Sequence, residues 1–419
     1  MQRLVISVIL FAVALGIGYF ALRAPQRRKQ VIRGGLALAL ALTAAGVLWW
    51  PVQGTPVPLD PSLRMYVASG NDLLAVQART GEVVWTFHAS GPAQPPTVVD
   101  GVVYFVVAVL PGASSAVVYA LNASDGSQRW HVQVDGHIVR CTPAIGEGVV
   151  YVTSTSGVVA LNADDGSQRW QVELTSSSTN PSSPALANGL LFLGAGMLPD
   201  GSLGSASRLK FCLCLYALRA SDGAVVWTHP TGDQVFDTPT VVDGVVYASE
   251  FADGLMALRA SDGKLLWSQK GLHGSGSPTV ANGVIYVASF DQHIYAVSAS
   301  DGRQLWQTKD GEIGPSGGLT VSGGVVYVVD TGVIALHATD GTRLWRWSGN
   351  DNRLLFSTPL VVQGVVFAAA TCSNGFQFFG YCQDQLVAFS GSDGALFWSK
   401  TVTDAEAPVL NQEQVSSAS

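Results

Sequence analysis

One phrase, written eight times, constrains this chain more than any other feature. The copies read LAVQARTGEVVW, YALNASDGSQRW, VALNADDGSQRW, YALRASDGAVVW, MALRASDGKLLW, YAVSASDGRQLW, IALHATDGTRLW and VAFSGSDGALFW. The glycine stands at 81, 126, 166, 223, 263, 302, 341 and 394, and a tryptophan follows four residues later each time: Trp85, Trp130, Trp170, Trp227, Trp267, Trp306, Trp345 and Trp398. A recurrence of about 40 residues demands stacked supersecondary units, because one such unit cannot bury its apolar face alone.

Each copy has a physical translation. Alternating apolar residues make a strand, Asp-Gly or Thr-Gly is expected to supply the positive φ angles of a tight hairpin, and the residues up to Trp make the returning strand. A second phrase precedes it in seven copies, from PTVVDGVVY at Pro96 to PLVVQGVVF at Pro359, with its first residue and its Gly five apart. It reads as another hairpin. Four antiparallel strands per repeat predict an all-β, eight-bladed β-propeller of four-stranded blades. The first blade shows no inner strand of its own, whereas APVLNQ near Pro408 is a strand without a blade. The C-terminal strand is therefore expected to complete blade 1 and remove open sheet edges.

The propeller is preceded by something different. Leu4 to Leu22 and Leu36 to Val52 carry no charge, and RAPQRRKQVIRGG between them holds five cations. Each run approaches the roughly 20 residues that cross a bilayer, and Trp49 with Trp50 suits an interface. The reading is a pair of transmembrane helices within a membrane anchor at 1–52, a cytoplasmic basic loop at 23–35, a linker at 53–63, the propeller at 64–412 and a tail at 413–419. The positive-inside rule then places the propeller on the extracytoplasmic side of the cell membrane. A cleaved signal peptide in either run is the alternative, and every version exports residues 53 onward. The first acidic residue is Asp60, so the chain after the six N-terminal cations carries 17 Lys+Arg against 30 Asp+Glu. Such an acidic body repels phosphate backbones, which argues against a nucleic-acid partner.

The phrase A-x-(S/T)-D-G-x-x-x-W with its P-x-x-x-x-G-V-V-Y lead resembles the pyrroloquinoline quinone (PQQ) repeat of quinoprotein alcohol dehydrogenases and of related non-enzymatic propellers. The likeness covers residues 64 to about 412. It implies that the eight Trp residues dock blades together and hold no cofactor. It also implies what an enzyme of this family carries: a disulfide between adjacent Cys residues, a Glu and Asn holding Ca²⁺, and an Asp base. The nearest Cys pair here is Cys212-Leu213-Cys214. On a continuous strand those two Cα atoms stand about 7 Å apart, a poor distance for a bridge. The chain is thus more similar to the non-enzymatic outer-membrane assembly propeller lipoprotein than to the dehydrogenases, with no cofactor expected. The expected function is a binding or scaffold module for a protein or cell-envelope ligand. A PQQ-dependent dehydrogenase with a reduced site, using PQQ and Ca²⁺, is the alternative.

No catalytic or metal motif is apparent, and Asp125, Asp165, Asp222, Asp262, Asp301, Asp340 and Asp393 read as turn residues. His337 replaces a polar residue of other copies and reads as surface. Blade geometry puts the repetitive turns on one face and the variable segments on the other: insertions 109–116, 195–211 and 372–382, and connections holding His137, Arg140, Asp237 and His273. Function concentrates where a repetitive scaffold varies. In blade 8, taking Phe367 and Val387 as equivalents of Tyr286 and Tyr295 sets Cys372 opposite Cys382. A bridge there would hold out the aromatic tip Phe376, Phe378, Phe379 and Tyr381 as a contact patch; free thiols with the aromatics folded inward are the alternative. Of the five Cys, Cys141 is expected to stay unpaired, since it precedes an inner strand.

Overall fold

In a computed structural model, the chain divides into two compact units, residues 1–55 and 56–419. The structure describes residues 59–107, 115–136, 141–174, 181–195, 213–251, 254–272, 276–289, 291–308, 318–329, 332–348, 354–372, 385–402 and 409–410. Both long apolar runs lie outside them, so the structure gives the expected membrane helices no support. Among the described residues no helix is long and apolar enough to cross a membrane.

The second unit is an all-β propeller of eight antiparallel blades. Blade 2 shows the plan: Thr97–Val99 innermost, then Val102–Val107, Ser115–Asn122 and, outermost, Gln128–Asp135. Blade 8 departs from it with five strands, because its inner position is split: Leu360–Val362 pairs with Val365–Phe367, and Leu354–Phe356 pairs with Ala370–Cys372. The ring closes as expected. Val409–Leu410 is the inner strand of blade 1, with Leu410 opposite Met65 and Val409 opposite Tyr66.

The turn chemistry differs from expectation in an instructive way. Paired left-handed residues occur in the inner hairpins, for example Asp100 (φ 49°) with Gly101 (φ 69°), and Asn188 (φ 51°) with Gly189 (φ 71°). That is the two-residue hairpin whose twist matches its strands. In the Asp-Gly turns only the glycine is left-handed: Gly126 (φ 74°) closes a longer loop by donating to the Asn122 carbonyl at 2.9 Å. The loop is longer because a bulge follows it, Ala120 pairing with Trp130 but Leu121 with Gln128. All eight outer strands bulge at this point, which blunts the exposed edge of each blade.

The core lies between blades. Val102–Val107 and Val149–Ser154 are buried at every position, since both faces of a second strand meet a neighbouring blade. The eight tryptophans dock the blades, as the resemblance implies. Each indole N–H donates to a backbone carbonyl of the next blade: Trp85 to Ala123, Trp130 to Ala163, Trp170 to Ala220, Trp227 to Ala260, Trp267 to Ala299, Trp306 to Ala338, Trp345 to Gly391, and across the seam Trp398 to Ala78, all at 2.8–3.1 Å. The repeat glycine lies against the same ring, and a Cβ on Gly263 would sit 2.6 Å from Trp227. One glycine therefore serves two needs, a left-handed turn and room for the neighbour's indole.

Candidate functional site

The two faces of the propeller differ in chemistry. On the turn face, Asp125, Asp165 and Asp340 each accept the hydroxyl and N–H of the residue two positions on, Ser127, Ser167 and Thr342. These bonds hold their carboxyls below the ordinary carboxylate value. Such groups stay ionised and serve the turn. His337 is exposed.

The loop face is built from the second-to-third hairpins and the blade connections. Of the residues expected to form its contact surface, Asp237 is described and half-buried. His137, Arg140, His273, Phe376, Phe378, Phe379 and Tyr381 lie outside the described residues. Beside Asp237 stands a feature that the sequence reading missed. Phe236, in the connection from blade 4 to blade 5, and Phe251, at the second-to-third hairpin of blade 5, are 50% and 47% exposed. Their rings meet edge to face at 5.8 Å and 90°.

This pair is held out by the backbone beneath it. Val235 is buried over blade 4, and its carbonyl would lie 2.2 Å from a Cβ on Gly194, so only glycine lets the connection come so close. The connection is tied at both ends: Thr231 N–H donates to the Leu213 carbonyl at 2.8 Å, and Phe251 N–H donates to the Gln234 carbonyl at 3.0 Å. Glu250, 9% exposed, accepts the Gly232 N–H at 3.0 Å. Two phenyl rings left half in water above an anchored backbone form a preorganised apolar contact, the kind that carries binding energy in interfaces. One signal was available in the sequence: an aromatic between the apolar Val235 and Asp237 in a connection that is otherwise mostly polar.

A second cluster on this face is structural in character. In the blade 6 hairpin the Tyr295 hydroxyl donates to Asp291 Oδ2 at 2.6 Å, and Asp291 Oδ1 accepts the His293 N–H. Burial and the Asp291 carboxylate push the Tyr295 phenol up to about 12, so it remains a hydrogen-bond donor and does not act as a base near neutrality. Among the described residues no group of three or more His, Cys, Asp or Glu could hold a metal ion.

The cysteines divide differently from the spacing argument. Cys141 is free and buried, as expected, its sulfur accepting the Thr153 N–H and hydroxyl at 3.3 Å. Cys214 is disulfide-bonded, which continuous-strand spacing did not foresee. The named strand begins at Cys214, and Cys212 lies outside the described residues. Cys382 lies outside the described residues. The register proposed for the Cys372 to Cys382 bridge is corrected by one residue: Phe367 pairs with Ala388 and Ala368 with Val387. The same offset holds in blade 6, where Tyr286 pairs with Ala296.

The sequence profile of the family described as outer membrane protein assembly factor BamB matches residues 37–198, 214–275 and 269–418. A protein of that name from Yersinia pestis is 28% identical over 191 residues, 43% of this chain and 47% of its own length. The chain spans about half the length of the curated relatives it matches. Among solved structures, BamB from Moraxella catarrhalis superposes with a TM-score of 0.57 at 20% identity, covering 81% of this chain and 95% of that one. The quinohemoprotein alcohol dehydrogenase ADHIIG from Pseudomonas putida HK5 gives 0.57 at 16% identity, covering 77% and 70%. At these identities the structural likeness speaks for the fold alone.

Proposed function

The chain belongs to the outer membrane protein assembly factor BamB family, and from that premise we propose that its propeller is a protein-binding scaffold of the cell envelope that works through the loop face. The observation that carries this reading is the exposed Phe236–Phe251 pair on its anchored connection. Buried aromatic anchors at an interface typically contribute about 2 kcal/mol or more each, roughly thirtyfold in affinity. The partner is a protein, and the relatives' name points to one that takes part in outer-membrane assembly. Membrane attachment through Leu4 to Leu22 and Leu36 to Val52, with 23–35 cytoplasmic and the propeller exported, belongs to the same proposal.

The experiment is cross-linking in native membranes with the full chain and with Phe236→Ala/Phe251→Ala. The expected outcome is one dominant cross-linked protein, lost in the double variant while the propeller melts unchanged. Equal cross-linking by both forms would remove the loop face from the reading. PQQ- and Ca²⁺-dependent dye reduction by the purified chain would replace the scaffold with a dehydrogenase. For the topology, a reporter at Ser419 is expected to behave as exported and one near Gln26 as cytoplasmic; the reverse pattern would overturn it.

A further inference from the structure

Cys214 is disulfide-bonded within this chain, and its partner can be found by elimination. Cys141 is free, which leaves Cys212, Cys372 and Cys382. A bridge needs Cα atoms within about 7 Å. Blade 4 and blade 8 face each other across an eight-membered ring. Cys214 is on the third strand of blade 4, and Cys372 is on the second long strand of blade 8, which pairs with the split inner pieces. With strands about 4.8 Å apart, three spacings separate them by about 14 Å before the central opening is counted.

Cys382 is also out of reach. It lies three residues before Gln385, which starts the third strand of blade 8. Four spacings put Gln385 about 19 Å from Cys214, again without the opening. Three residues of chain span at most about 11 Å, so more than the bridging distance remains.

We infer that Cys214 is bridged to Cys212, a Cys-x-Cys disulfide at the base of the long loop-face insertion of blade 4. Of the remaining cysteines only Cys212 stands within two residues of Cys214 along the chain, so no folding across the ring is needed to bring it near. Its formation removes two protons and two electrons from the thiols and passes them to an envelope disulfide donor, which is reduced to a dithiol. The residue between the two cysteines is Leu213, whose carbonyl receives the Thr231 N–H at 2.8 Å. The bridge therefore braces the start of the connection that carries Phe236. Its chemistry is independent of the scaffold reading; it rests on the proposed export only for its oxidant.

The test uses the full chain isolated from membranes, alkylated without reductant and digested with trypsin. Cleavage after Lys210 and Arg219 releases FCLCLYALR, residues 211–219. The expected peptide is unalkylated and two hydrogens lighter than its dithiol, and it takes up two alkyl groups only after reduction. A cross-link from this peptide to one containing Cys372 or Cys382 would overturn the inference. So would alkylation of both thiols without reductant, and the reporter fusions then judge export separately. In Cys212→Ser, Cys214 is expected to alkylate after denaturation, and the Thr231 amide to exchange faster with solvent. In Cys372→Ser the 211–219 peptide is expected to keep its mass; a change there would overturn the pairing.

Discussion

At the scale of single residues, the repeat phrase is a docking device whose parts have separable costs. Gly263 (φ +68°) and Gly244 (φ +74°) are both left-handed, but a Cβ on Gly244 would meet nothing within 4 Å, whereas one on Gly263 would strike Trp227. Gly244→Ala is expected to cost about 1–2 kcal/mol, the left-handed penalty alone. Gly263→Ala adds roughly 1–3 kcal/mol for displacing a packed indole, and paired urea titrations will read the difference. The indole N–H can be isolated similarly. The Ala163 carbonyl receives both Trp130 and the Tyr104 hydroxyl, whereas blade 4 has Phe192 in place of that tyrosine, so Ala260 receives Trp227. Trp227→Phe is therefore expected to destabilise more than Trp130→Phe, by about 1 kcal/mol, because it strips a buried carbonyl of its aromatic donor. Equal losses would mean that the ring's bulk alone does the docking.

At the scale of elements, the hairpins separate twist from function. The inner hairpins have to be two residues long and left-handed, while the second-to-third hairpins are free to vary and do. The blade 6 hairpin shows how such a loop is fixed without length. Asp291 is pushed up by burial, but hydrogen bonds from Tyr295, Ser289 and His293 outweigh this and hold it below the ordinary carboxylate value. A lowered carboxyl contributes stability above its unfolded pKa, and that contribution is lost as the pH falls through the folded value. Tyr295 acts in the opposite sense. Its contribution is complete below the unfolded value of 10.0 and is lost as the pH rises toward about 12. Tyr295→Phe is expected to shrink both the alkaline and the acid losses, measured as urea midpoints across pH. An unchanged profile would remove this hairpin from the pH response.

At the scale of the whole molecule, stability depends on a strand two residues long. Val409–Leu410 supplies the inner strand of blade 1, and Leu59 and Leu63 are buried in the same seam with Val362, Val365 and Phe367 of blade 8. Deleting residues after Ala405 uncovers the inner edge of blade 1 and the core beside it. The expected outcome is aggregation or failure to fold, because an open seam exposes sheet edge and apolar surface together. A truncated propeller that stays monomeric and melts as before would refute the closure argument.

The repeat determined by itself the blade number, the strand plan and the C-terminal closure, because each follows from spacing along one chain, while the docking role of Trp85 through Trp398 was implied by the family resemblance. It also located the face where variation gathers. What it could not determine depends on register and on approach between distant segments. The Asp-Gly turns became longer loops because a bulge follows them, and Phe367 met Ala388, one residue away from the pairing that the equivalence with Tyr286 and Tyr295 suggested. Phe236 and Phe251 lie 15 residues apart in sequence, and the passage of the connection over Gly194, with the Phe251 N–H bonded to the Gln234 carbonyl, brings their rings together. Spacing along a strand is local and periodic and can be read directly. Contact between loops is set by how neighbouring blades pack, and that is decided only when the ring closes.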